Sequence, residues 1–480
     1  MAEDKKQTLG ITIKKEEDMA LWYSQVVTKS EMADYAPVKG CMIIRPLGYS
    51  VWQKIMDTFN EQMKENDVKN AYFPMFIPES FFYKEAEHAE GFKPEVAWIE
   101  QKDENSERYA IRPTSETIMY DSYSRWIKSW RDLPLKINQW CNICRWETQD
   151  CKIFLRSREF LWQEGHCVYE TAEERNKETQ IYLKEYQKLV EGLLAVPVIP
   201  GEKTEKERFA GADRTFTIEA MMPDGKALQM GTSHDLSQGF GKAFEIRFTG
   251  RDEKETIPFQ NSWGVSTRLI GGMVMTHSDN KGLVLPPRVA PNKLVVIPII
   301  FKDKRDFILE KSREIFSMLK KFNPVFDDRE EYSNGFKYSD WELRGIPLRI
   351  EVGPRDLEKS SVVCVRRDTN EKKEVKIDEL ESFIELELEK MQKDLLEKAK
   401  KRLEESIVEV SSVDDLMKRA FEGKLVVAAF SGNAEDEDEL KALTKGITSR
   451  CIREDVQGKG LKCFFTGKPA RYKVYFARNY

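Results

Sequence analysis

Residues 144–166 read CRWETQDCKIFLRSREFLWQEGH and combine three arginines, three glutamates, four large aromatic rings and a histidine. We interpret KINQWCNICRWE (136–147) and IFLRSREFLWQEGH (153–166) as the two strands of a hairpin. Side chains alternate between the faces of a strand, so one face of the second strand carries Arg156, Arg158, Phe160, Trp162, Glu164 and His166. On the first strand, Arg145 and Glu147 share a face.

The composition of this face favours a binding site over a solvated charged run. Most charged runs lie in water, and 33% of this chain is charged. However, arginines and a histidine are costly to bury without partners, whereas the rings favour removal from water. The combination suits a ligand with an anionic part and a flat ring. ATP has both, so the stretch predicts the floor of a nucleotide site.

The overall composition narrows the class of protein. A chain of 480 residues that is 40% hydrophobic can bury a full core, and its length predicts two to four domains. Its net charge of −5 argues against a protein that coats nucleic acid along its length, although a local basic surface remains possible. No apolar run approaches the roughly 20 residues that span a bilayer, and MAEDKKQ is no secretion signal. We expect a cytoplasmic protein without a membrane partner.

The eight cysteines follow no framework spacing, so reduced thiols are expected rather than disulfides. Cys141 and Cys144, with Cys151 and Cys167 nearby, could in principle hold zinc. The second half of a regular pair of C-x2-C knuckles is missing, however. Thiols packed in a sheet are therefore the favoured interpretation.

Periodicity divides the chain into three units. Apolar residues at helical spacing predict helices over 49–66, 174–194, 303–321 and 377–403. Strands are predicted at FEIRF (244–248), LRIEV (348–352) and SSVVCVRR (360–367), with a hairpin at MPDGKALQM (222–230). Prolines followed by a continuous apolar run in LPPRVAPNKLVVIPII (285–300) mark a boundary. We expect a mainly antiparallel catalytic domain over 1–289, an α/β domain over 290–400 and a small α+β domain over 401–480.

Two further expectations concern the last unit. The acidic patch NAEDEDE (433–439) predicts a solvated loop, and the aromatic tail YKVYFARNY (472–480) predicts a docked terminus.

The motifs resemble those of class II aminoacyl-tRNA synthetases. Arg145-x-Glu147 in CRWE matches the signature of motif 2, Gly264-x-x-x-Arg268 in WGVSTR matches motif 3, and Pro74 stands where motif 1 has its proline. The chain looks specifically like the prolyl-tRNA synthetases of the archaeal and eukaryotic type, on the strings RPTSE (112–116), FLWQEGH (160–166), GTSH (231–234) and GLVLPPRVAP (282–291). The resemblance covers nearly the whole chain. It implies an α+β protein with a class II antiparallel-sheet catalytic domain, an α/β anticodon-binding domain and a small α+β C-terminal domain.

The resemblance also implies the reaction and its partners. ATP and L-proline, with Mg²⁺, form prolyl-adenylate, and the prolyl group passes to tRNA-Pro. Negative charge builds on phosphoryl oxygens during this reaction, so fixed guanidinium groups are the useful catalysts, here Arg145 and Arg268. The motif 1 resemblance implies a homodimer.

The implied site residues fall into three groups. ATP should contact Arg145, Glu147, Arg156, Phe160, Gln229, Thr232, Ser266 and Arg268. Proline should contact Thr114, Glu116, Arg145, Trp162, His166 and Ser233, with His234 as support for the pocket. The anticodon guanines should contact Glu342 and Arg349, whose polar edges match those of guanine.

Two absences are expected by comparison with the family. About a hundred residues separate motif 2 from motif 3, which leaves no room for the editing domain of bacterial-type relatives. In the C-terminal unit only Cys451 and Cys463 remain of the cysteine pairs that hold zinc in many relatives, so no structural zinc is expected.

Two alternatives remain open. A sister class II enzyme of the threonyl or seryl type would share the three motifs, although RPTSE beside FLWQEGH argues against it. A tRNA-binding paralogue without activity would have lost part of the site, and Arg145, Phe160 and Arg268 argue against that.

Overall fold

A computed structural model describes residues 10–86, 96–101, 103, 106–146 and 150–480 of the chain. The α-helices are α1 (Met19–Lys29), α2 (Pro46–Glu65), α3 (Glu79–Ala86), α4 (Glu116–Trp126), α5 (Ala172–Leu194), α6 (Gly239–Ala243), α7 (Arg268–His277), α8 (Arg305–Met318), α9 (Asn334–Arg344), α10 (Pro354–Leu357), α11 (Leu380–Ser406), α12 (Val413–Phe421) and α13 (Ala434–Leu443). Short 3-10 helices cover Trp130–Asp132, Lys302–Lys304, Lys320–Phe322 and Ile377–Glu379. Within the described ranges, no helix combines the length and apolar character that crossing a membrane requires.

The strands form two large sheets and three small pairs. They are β1 (Ala33–Tyr35), β2 (Met42–Ile44), β3 (Lys69–Asn70), β4 (Phe76–Pro78), β5 (Tyr109–Ile111), β6 (Leu135–Cys144), β7 (Glu159–Tyr169), β8 (Ile199–Glu202), β9 (Arg214–Met221), β10 (Lys226–Ser237), β11 (Phe248–Thr249), β12 (Glu255–Thr256), β13 (Phe259–Ser266), β14 (Leu294–Pro298), β15 (Val325–Phe326), β16 (Leu348–Val352), β17 (Ser361–Arg366), β18 (Lys372–Lys376), β19 (Ile407–Glu409), β20 (Leu425–Phe430), β21 (Thr448–Asp455) and β22 (Tyr472–Asn479).

The larger sheet has 11 strands in the order β19-β20-β22-β21-β8-β9-β10-β13-β7-β6-β3. From β8 to β6 every pairing is antiparallel, and β3 adds a parallel edge beside β6. The predicted hairpin is present, since β6 and β7 pair from Leu135 opposite Val168 to Cys144 opposite Glu159. Its second strand begins at Glu159, so Arg156 and Arg158 precede the strand.

Helices α2 and α5 cover one face of this sheet. The predicted apolar stripe of α2 is buried at Val51, Trp52, Ile55, Phe59 and Met63. The Phe59 ring stacks on Tyr186 of α5 with 5.1 Å between centroids, and Tyr182 stacks on Trp263 of β13 at 4.1 Å. A capping box at Thr171 starts α5. The apolar core therefore lies between these helices and the sheet, and leaves the other face open.

The chain's last strands extend the same sheet. Strand β22 lies between β20 and β21, and its end also pairs with β10, where Lys226 is opposite Arg478. Strand β21 meets β8 where Ile452 is opposite Glu202. The Tyr480 hydroxyl donates to the Asp224 carboxylate, which confirms the docked tail.

The smaller sheet has the order β15-β14-β16-β17-β18. Strand β14 pairs in parallel with β15 and β16, whereas β17 pairs antiparallel with both β16 and β18. Strand β14 is fully buried, as its continuous apolar run predicts. The predicted helices over 49–66, 174–194, 303–321 and 377–403 are confirmed as α2, α5, α8 and α11, with small differences at their ends.

The linker between the two sheets, residues 282–285, packs its backbone directly against the end of α9. The Leu283 amide donates to the Leu343 carbonyl at 3.1 Å, and the Leu285 amide donates to the Gly345 carbonyl at 3.4 Å. A Cβ added at Gly282, where φ is +137°, would lie 2.5 Å from the Leu343 Cα. Only glycine therefore fits this crossing.

The strand predicted at 244–248 is wrong except for its last residue. Phe244 follows α6, Glu245 has a φ of +52°, and only Phe248 belongs to a strand. Phe244, Ile246 and Phe248 nevertheless all lie in one buried cluster with Tyr120. A helix end and a turn bury the alternating apolar residues in place of a strand.

The solvated loop predicted at 433–439 is also wrong, because this segment starts helix α13. The Asn433 side chain accepts a hydrogen bond from the Glu435 amide at 2.8 Å, and acidic residues in the first turn favour the helix dipole. Asp436 and Glu437 are buried. Asp436 pairs with Lys468 at 3.0 Å, and Glu437 accepts a hydrogen bond from Ser449.

Candidate active site

A cleft of about 600 Å³ lies on the face of the large sheet opposite α2 and α5. This volume is typical of small-molecule sites. The cleft is lined by Pro113, Thr114, Glu116, Arg145, Phe160, Trp162, Glu164, His166, Glu207, Phe209, Thr215, Gln229, Met230, Gly231, Thr232, His234, Ser262, Trp263, Gly264, Val265, Ser266 and Arg268. The three regions that resemble synthetase motifs 2 and 3 and RPTSE therefore meet in one place.

Strand β7 lines the cleft with the alternation that the sequence predicts. Phe160, Trp162, Glu164 and His166 all lie along it. Arg156 is exposed outside the lining set. Glu147 lies outside the described residues.

A buried hydrogen-bond chain closes one end of the cleft. His166 Nε2 lies 3.1 Å from the Glu164 carboxylate, and its Nδ1 lies 3.0 Å from the Tyr120 hydroxyl. Burial alone would lower the pKa of His166, but the charges of Glu116 and Glu164 and the hydrogen bond to Glu164 raise it. Burial would raise the pKa of Glu164, but His166 and the donors Ser115 and Gln139 lower it. This end therefore contains a buried carboxylate paired with a histidine.

Glu116, the first residue of α4, adds a second buried carboxylate at the same end. The Thr114 hydroxyl donates to it. Burial, and then repulsion from Glu164, raise the pKa of Glu116 even though the charge of His166 opposes this. A bound cation would offset both effects. The arrangement suits a small ligand with an ammonium group.

Arginines dominate the other end of the cleft. Arg145 Nε donates to the Pro113 carbonyl at 3.4 Å, and its guanidinium carbon lies 5.8 Å and 5.6 Å from the ring centroids of Phe160 and Trp162. Arg268, the first residue of α7, donates to the Leu155 carbonyl at 3.1 Å. Burial, and then repulsion from Arg145 and Arg156, lower the pKa of Arg268 to about 10. Two cations held close together favour an anionic ligand such as a polyphosphate.

Strand β10 places only part of the predicted residues in the cleft. Gln229 and Thr232 line it, as does Ser266 of β13. Ser233 does not, because its hydroxyl donates to the Thr179 carbonyl of α5 on the opposite face, at 2.8 Å. Alternation along β10 places Thr232 and His234 in the cleft and Ser233 behind it, which corrects the predicted proline contact of the Ser233 side chain.

The cleft also has walls that the motifs did not indicate. Phe209 packs against His234 with 4.6 Å between ring centroids, and Ser262 lines the floor beside His166 in the sheet register. Burial, and then repulsion from His166, lower the pKa of His234 to about 3, so its ring is neutral. Alternation along β13 could have indicated Ser262, but Phe209 lies in a loop without a sequence signal.

The predicted anticodon residues also meet, on the small sheet. Arg349 Nη1 donates to Glu342 at 3.2 Å, and its Nε donates to Glu351 at 2.9 Å. The guanidinium carbon of Arg349 lies 4.2 Å from the Tyr338 ring centroid.

In the ranges that the structure describes, one cluster of potential metal ligands is present. There, Glu116, Glu164 and His166 are the one group of three whose ligand atoms lie within 4.8 Å of one another. Cys141 lies beside Glu164 and Trp162, whereas Cys167 contacts Tyr182 of α5 behind the sheet. Cys451 and Cys463 are buried in separate apolar clusters.

Family models match three parts of the chain. Residues 96–277 match the tRNA synthetase class II core domain (G, H, P, S and T), residues 293–387 match the anticodon binding domain, and residues 413–480 match the C-terminal domain of prolyl-tRNA synthetase. The matched ranges agree with the α+β class II fold that the motifs imply.

Curated relatives and solved structures match nearly the whole length. The proline–tRNA ligase of Alkaliphilus oremlandii is 47% identical over 485 residues, with 100% of both chains covered. Proline–tRNA ligase 2 of Clostridioides difficile is 46% identical, also over 100% of both chains. A crystal structure of prolyl-tRNA synthetase from Cryptosporidium parvum with halofuginone and AMPPNP has a TM-score of 0.94 and 46% identity, covering 98% of this chain and 100% of that one. A second structure of that protein, with L-proline and AMP, has a TM-score of 0.93, 45% identity and the same coverage.

With identity of this level over its full length and with all three family domains in order, the chain belongs to the prolyl-tRNA synthetases, the class II enzymes that activate proline with ATP and transfer it to tRNA.

Proposed function

We propose that the cleft binds ATP, as its magnesium complex, at the arginine end and L-proline at the carboxylate end, and that the two react between Arg145 and Glu116. The placement of two buried carboxyl groups, Glu116 and Glu164, and of two arginines, Arg145 and Arg268, in one cleft carries this proposal. The relative from Cryptosporidium parvum was solved with L-proline and AMP, which supports it.

At the ATP end, Arg145 holds the α-phosphate together with the proline carboxylate, and Arg268 holds the γ-phosphate. Phe160 stacks on adenine. Gln229, Thr232 and Ser266 contact the nucleotide from the floor of the cleft, which all three line. Arg156, near enough to Arg268 to lower its pKa, contributes from the rim, and Glu147 is assigned to the nucleotide by the motif alone.

In-line attack of a proline carboxylate oxygen on the α-phosphorus forms prolyl-adenylate, breaks the bond between the α-phosphorus and the bridging oxygen, and releases pyrophosphate. Negative charge builds on the phosphoryl oxygens during this step. The guanidinium groups of Arg145 and Arg268 are already fixed by carbonyl partners, so they stabilise this charge without reorganising. The proline carboxylate is itself the nucleophile, and no side chain has to form a covalent intermediate.

At the proline end, Thr114 and Glu116 accept hydrogen bonds from the two N–H groups of the secondary ammonium. Trp162 and His166 form walls around the ring, and we add His234 and Phe209 to them because both line the cleft. The charge of the bound ammonium favours the ionised form of Glu116 and strengthens the contact.

At the small sheet, Glu342 and Arg349 recognise the guanines of the tRNA-Pro anticodon. The pairing of the two side chains supports this, because it fixes a donor edge and an acceptor edge beside each other.

We also propose that the chain acts without an editing domain of its own. Residues 170–258, between the strands of motifs 2 and 3, form helix α5, the sheet strands β8 to β10, helix α6 and the small pair β11–β12. They are thus part of the catalytic domain itself. Preformed alanyl-tRNA-Pro should persist when it is incubated with the enzyme, whereas rapid deacylation would contradict this proposal.

The active form is proposed to be a homodimer. Large apolar side chains are exposed at Tyr72 and Phe76, which flank the motif 1 proline Pro74 in sequence, and at Tyr35 and Ile43 of the β1–β2 hairpin. Sedimentation of I43D should show more monomer than the wild type. L386D, which changes an exposed leucine on α11, is the matched control and should sediment unchanged.

Exchange of pyrophosphate into ATP, measured with each amino acid in turn, tests the central proposal. Proline alone should support strong exchange, with weak exchange for smaller amino acids such as alanine because a proline pocket rejects them poorly. Strong exchange with threonine or serine would indicate a sister enzyme, and no exchange at all would indicate an inactive paralogue.

E116Q should raise KM for proline more than KM for ATP, and an unchanged KM for proline would remove Glu116 from the site.

A further inference from the structure

A buried carboxylate lies at the arginine end of the cleft. Glu219 of β9 is directly opposite Gln229 of β10, so both side chains lie on the face that forms the cleft floor. Glu219 is 3% exposed. Its nearest donors include Lys203 Nζ and the Thr217 hydroxyl, both at 2.8 Å from Oε1.

The other oxygen of Glu219 is held by a residue from the far end of the chain. Arg450 of β21 donates to Glu219 Oε2 through Nε at 3.0 Å and through Nη2 at 2.7 Å. Arg450 is itself 4% exposed, and its Nη1 donates to Thr448 at 3.2 Å. The C-terminal unit thus inserts a guanidinium group beneath the catalytic cleft.

This buried cluster lies next to Arg268. Arg268 Nη1 donates to the carbonyl of Gln229, the residue opposite Glu219, at 3.4 Å. The cluster is close enough to affect the titration of Arg268, since the charge of Glu219 raises its pKa and the charge of Arg450 lowers it. Arg268 therefore lies between a phosphate site and a buried carboxylate, and could pair with either.

We propose that Arg450 is a positioning residue for ATP: together with Lys203 it occupies both oxygens of Glu219, so that this carboxylate does not compete with the γ-phosphate for Arg268. The inference rests on the proposed contact between Arg268 and ATP. Carboxylate and phosphate offer a guanidinium the same two-oxygen geometry, so an unoccupied Glu219 oxygen is a direct competitor.

The proposal predicts a defect that is specific for ATP and depends on Glu219. R450M should raise KM for ATP in the exchange assay about tenfold and leave KM for proline within twofold. Arg268 would then pair with Glu219 in the absence of ATP, and nucleotide binding would have to break that pair. R450K keeps the charge and should raise KM for ATP less than threefold.

A double-mutant cycle separates this role from a structural one. In the E219Q background the competing charge is absent, so adding R450M should change KM for ATP less than threefold. An equal effect of R450M in both backgrounds, or a parallel rise of KM for ATP and proline, would overturn the proposal. If R450M does not fold, as judged by its thermal midpoint, the neutral polar variant R450Q replaces it, and the comparison of R450Q with E219Q/R450Q gives the same test.

The proposed role of Arg268 is tested separately. R268A that retains a normal KM for ATP would refute that role, whatever the cycle shows. If R268A strongly raises KM for ATP but R450M has the same effect in the wild-type and E219Q backgrounds, only the inference about Arg450 is refuted.

Discussion

The two units that follow the catalytic domain are attached to it in different ways. The C-terminal unit continues the catalytic sheet through β21 and β22, and a seven-residue apolar cluster, Met221, Ala227, Leu425, Val427, Cys451, Tyr475 and Ala477, joins the two parts. The small sheet is separate, and its long helix α11 shares a smaller apolar cluster of four buried residues with the catalytic domain, Ala195, Val284, Met391 and Leu395.

The charged contacts differ in the same way. Glu219, Lys203 and Arg450 are all nearly inaccessible to solvent. At the small sheet, in contrast, Arg367 pairs with Asp279, whose side chain is 39% exposed. The C-terminal unit is thus part of the catalytic body, whereas the anticodon-binding unit is joined to it by the linker and by separate side-chain contacts, among them the hydrogen bonds from Gln392 of α11 to the Gly192 and Leu193 carbonyls.

The largest expected effect tests this difference through stability. F476A removes a fully buried ring from β22 and should cost about 3–5 kcal/mol of unfolding free energy. Exchange activity should be lost together with β22, because the strand is shared with the catalytic sheet. Denaturant unfolding followed by exchange activity measures both.

I350A is the matched variant in the small sheet, where Ile350 is equally buried. It should cost about 2–5 kcal/mol, with charging of tRNA lost at lower denaturant than exchange activity. Simultaneous loss of both activities in I350A would mean that the two units are not independent.

The next effect concerns chemistry within the catalytic body. R145A should lower proline-dependent exchange by about 10²–10³-fold, because one charge-stabilising group in the transition state is removed. Charging should fall by the same factor and stability should not change. R158A is the control from the same segment, since Arg158 donates to the Lys39 carbonyl outside the cleft. Exchange in R145A within tenfold of the wild type would refute the assignment.

A smaller and selective effect is expected at the anticodon-binding unit. R349A should slow charging of tRNA-Pro by about tenfold to a hundredfold, in line with the 1–3 kcal/mol of one bidentate base contact. Exchange should remain unchanged. R313A, which changes an exposed arginine of the same unit, should affect neither activity. Equal loss of both activities in R349A would indicate a purely structural role for its pair with Glu342.

The smallest effect concerns the pair between the two units. Burial opposes ionisation of Asp279, but hydrogen bonds from Arg367 and its charge lower the pKa of Asp279 below the ordinary value. The contribution of ionised Asp279 to the free energy of unfolding is therefore present above the unfolded pKa of about 3.9, and it is lost as pH falls through the folded pKa.

Because Asp279 is partly exposed, D279N should cost only about 1 kcal/mol at pH 7. Urea unfolding at several pH values measures this cost. The difference between the wild type and D279N should shrink only below about pH 4. A difference that grows toward acid pH would contradict the assigned direction.

Local sequence patterns predicted the long helices and many of the residues that line the cleft. The alternation in FLWQEGH indicated Phe160, Trp162 and His166, which line the cleft. The same alternation, applied to GTSH, would have excluded the side chain of Ser233. The motif resemblance assigns Ser233 to proline, whereas its hydroxyl donates to the Thr179 carbonyl behind the sheet.

The remaining errors come from contacts distant in sequence. The acidic patch at 433–439 is a helix whose buried residues depend on Lys468 and Ser449, and no local pattern indicates those partners. The continuation of the catalytic sheet into β21 and β22 likewise depends on pairings between residues more than 200 positions apart. Sequence periodicity specifies which residues form a strand, but not which strand will be its neighbour.

The crossing of the linker over the end of α9 has a consequence for how such proteins diverge. Backbone atoms make the contact, through the amides of Leu283 and Leu285, and Gly282 permits it. At this point the two units are therefore held together by the backbone, whatever side chains residues 283 and 285 carry. Substitutions at residues 283 and 285 can therefore keep the backbone hydrogen bonds of the crossing, whereas any side chain at residue 282 would push the two units apart.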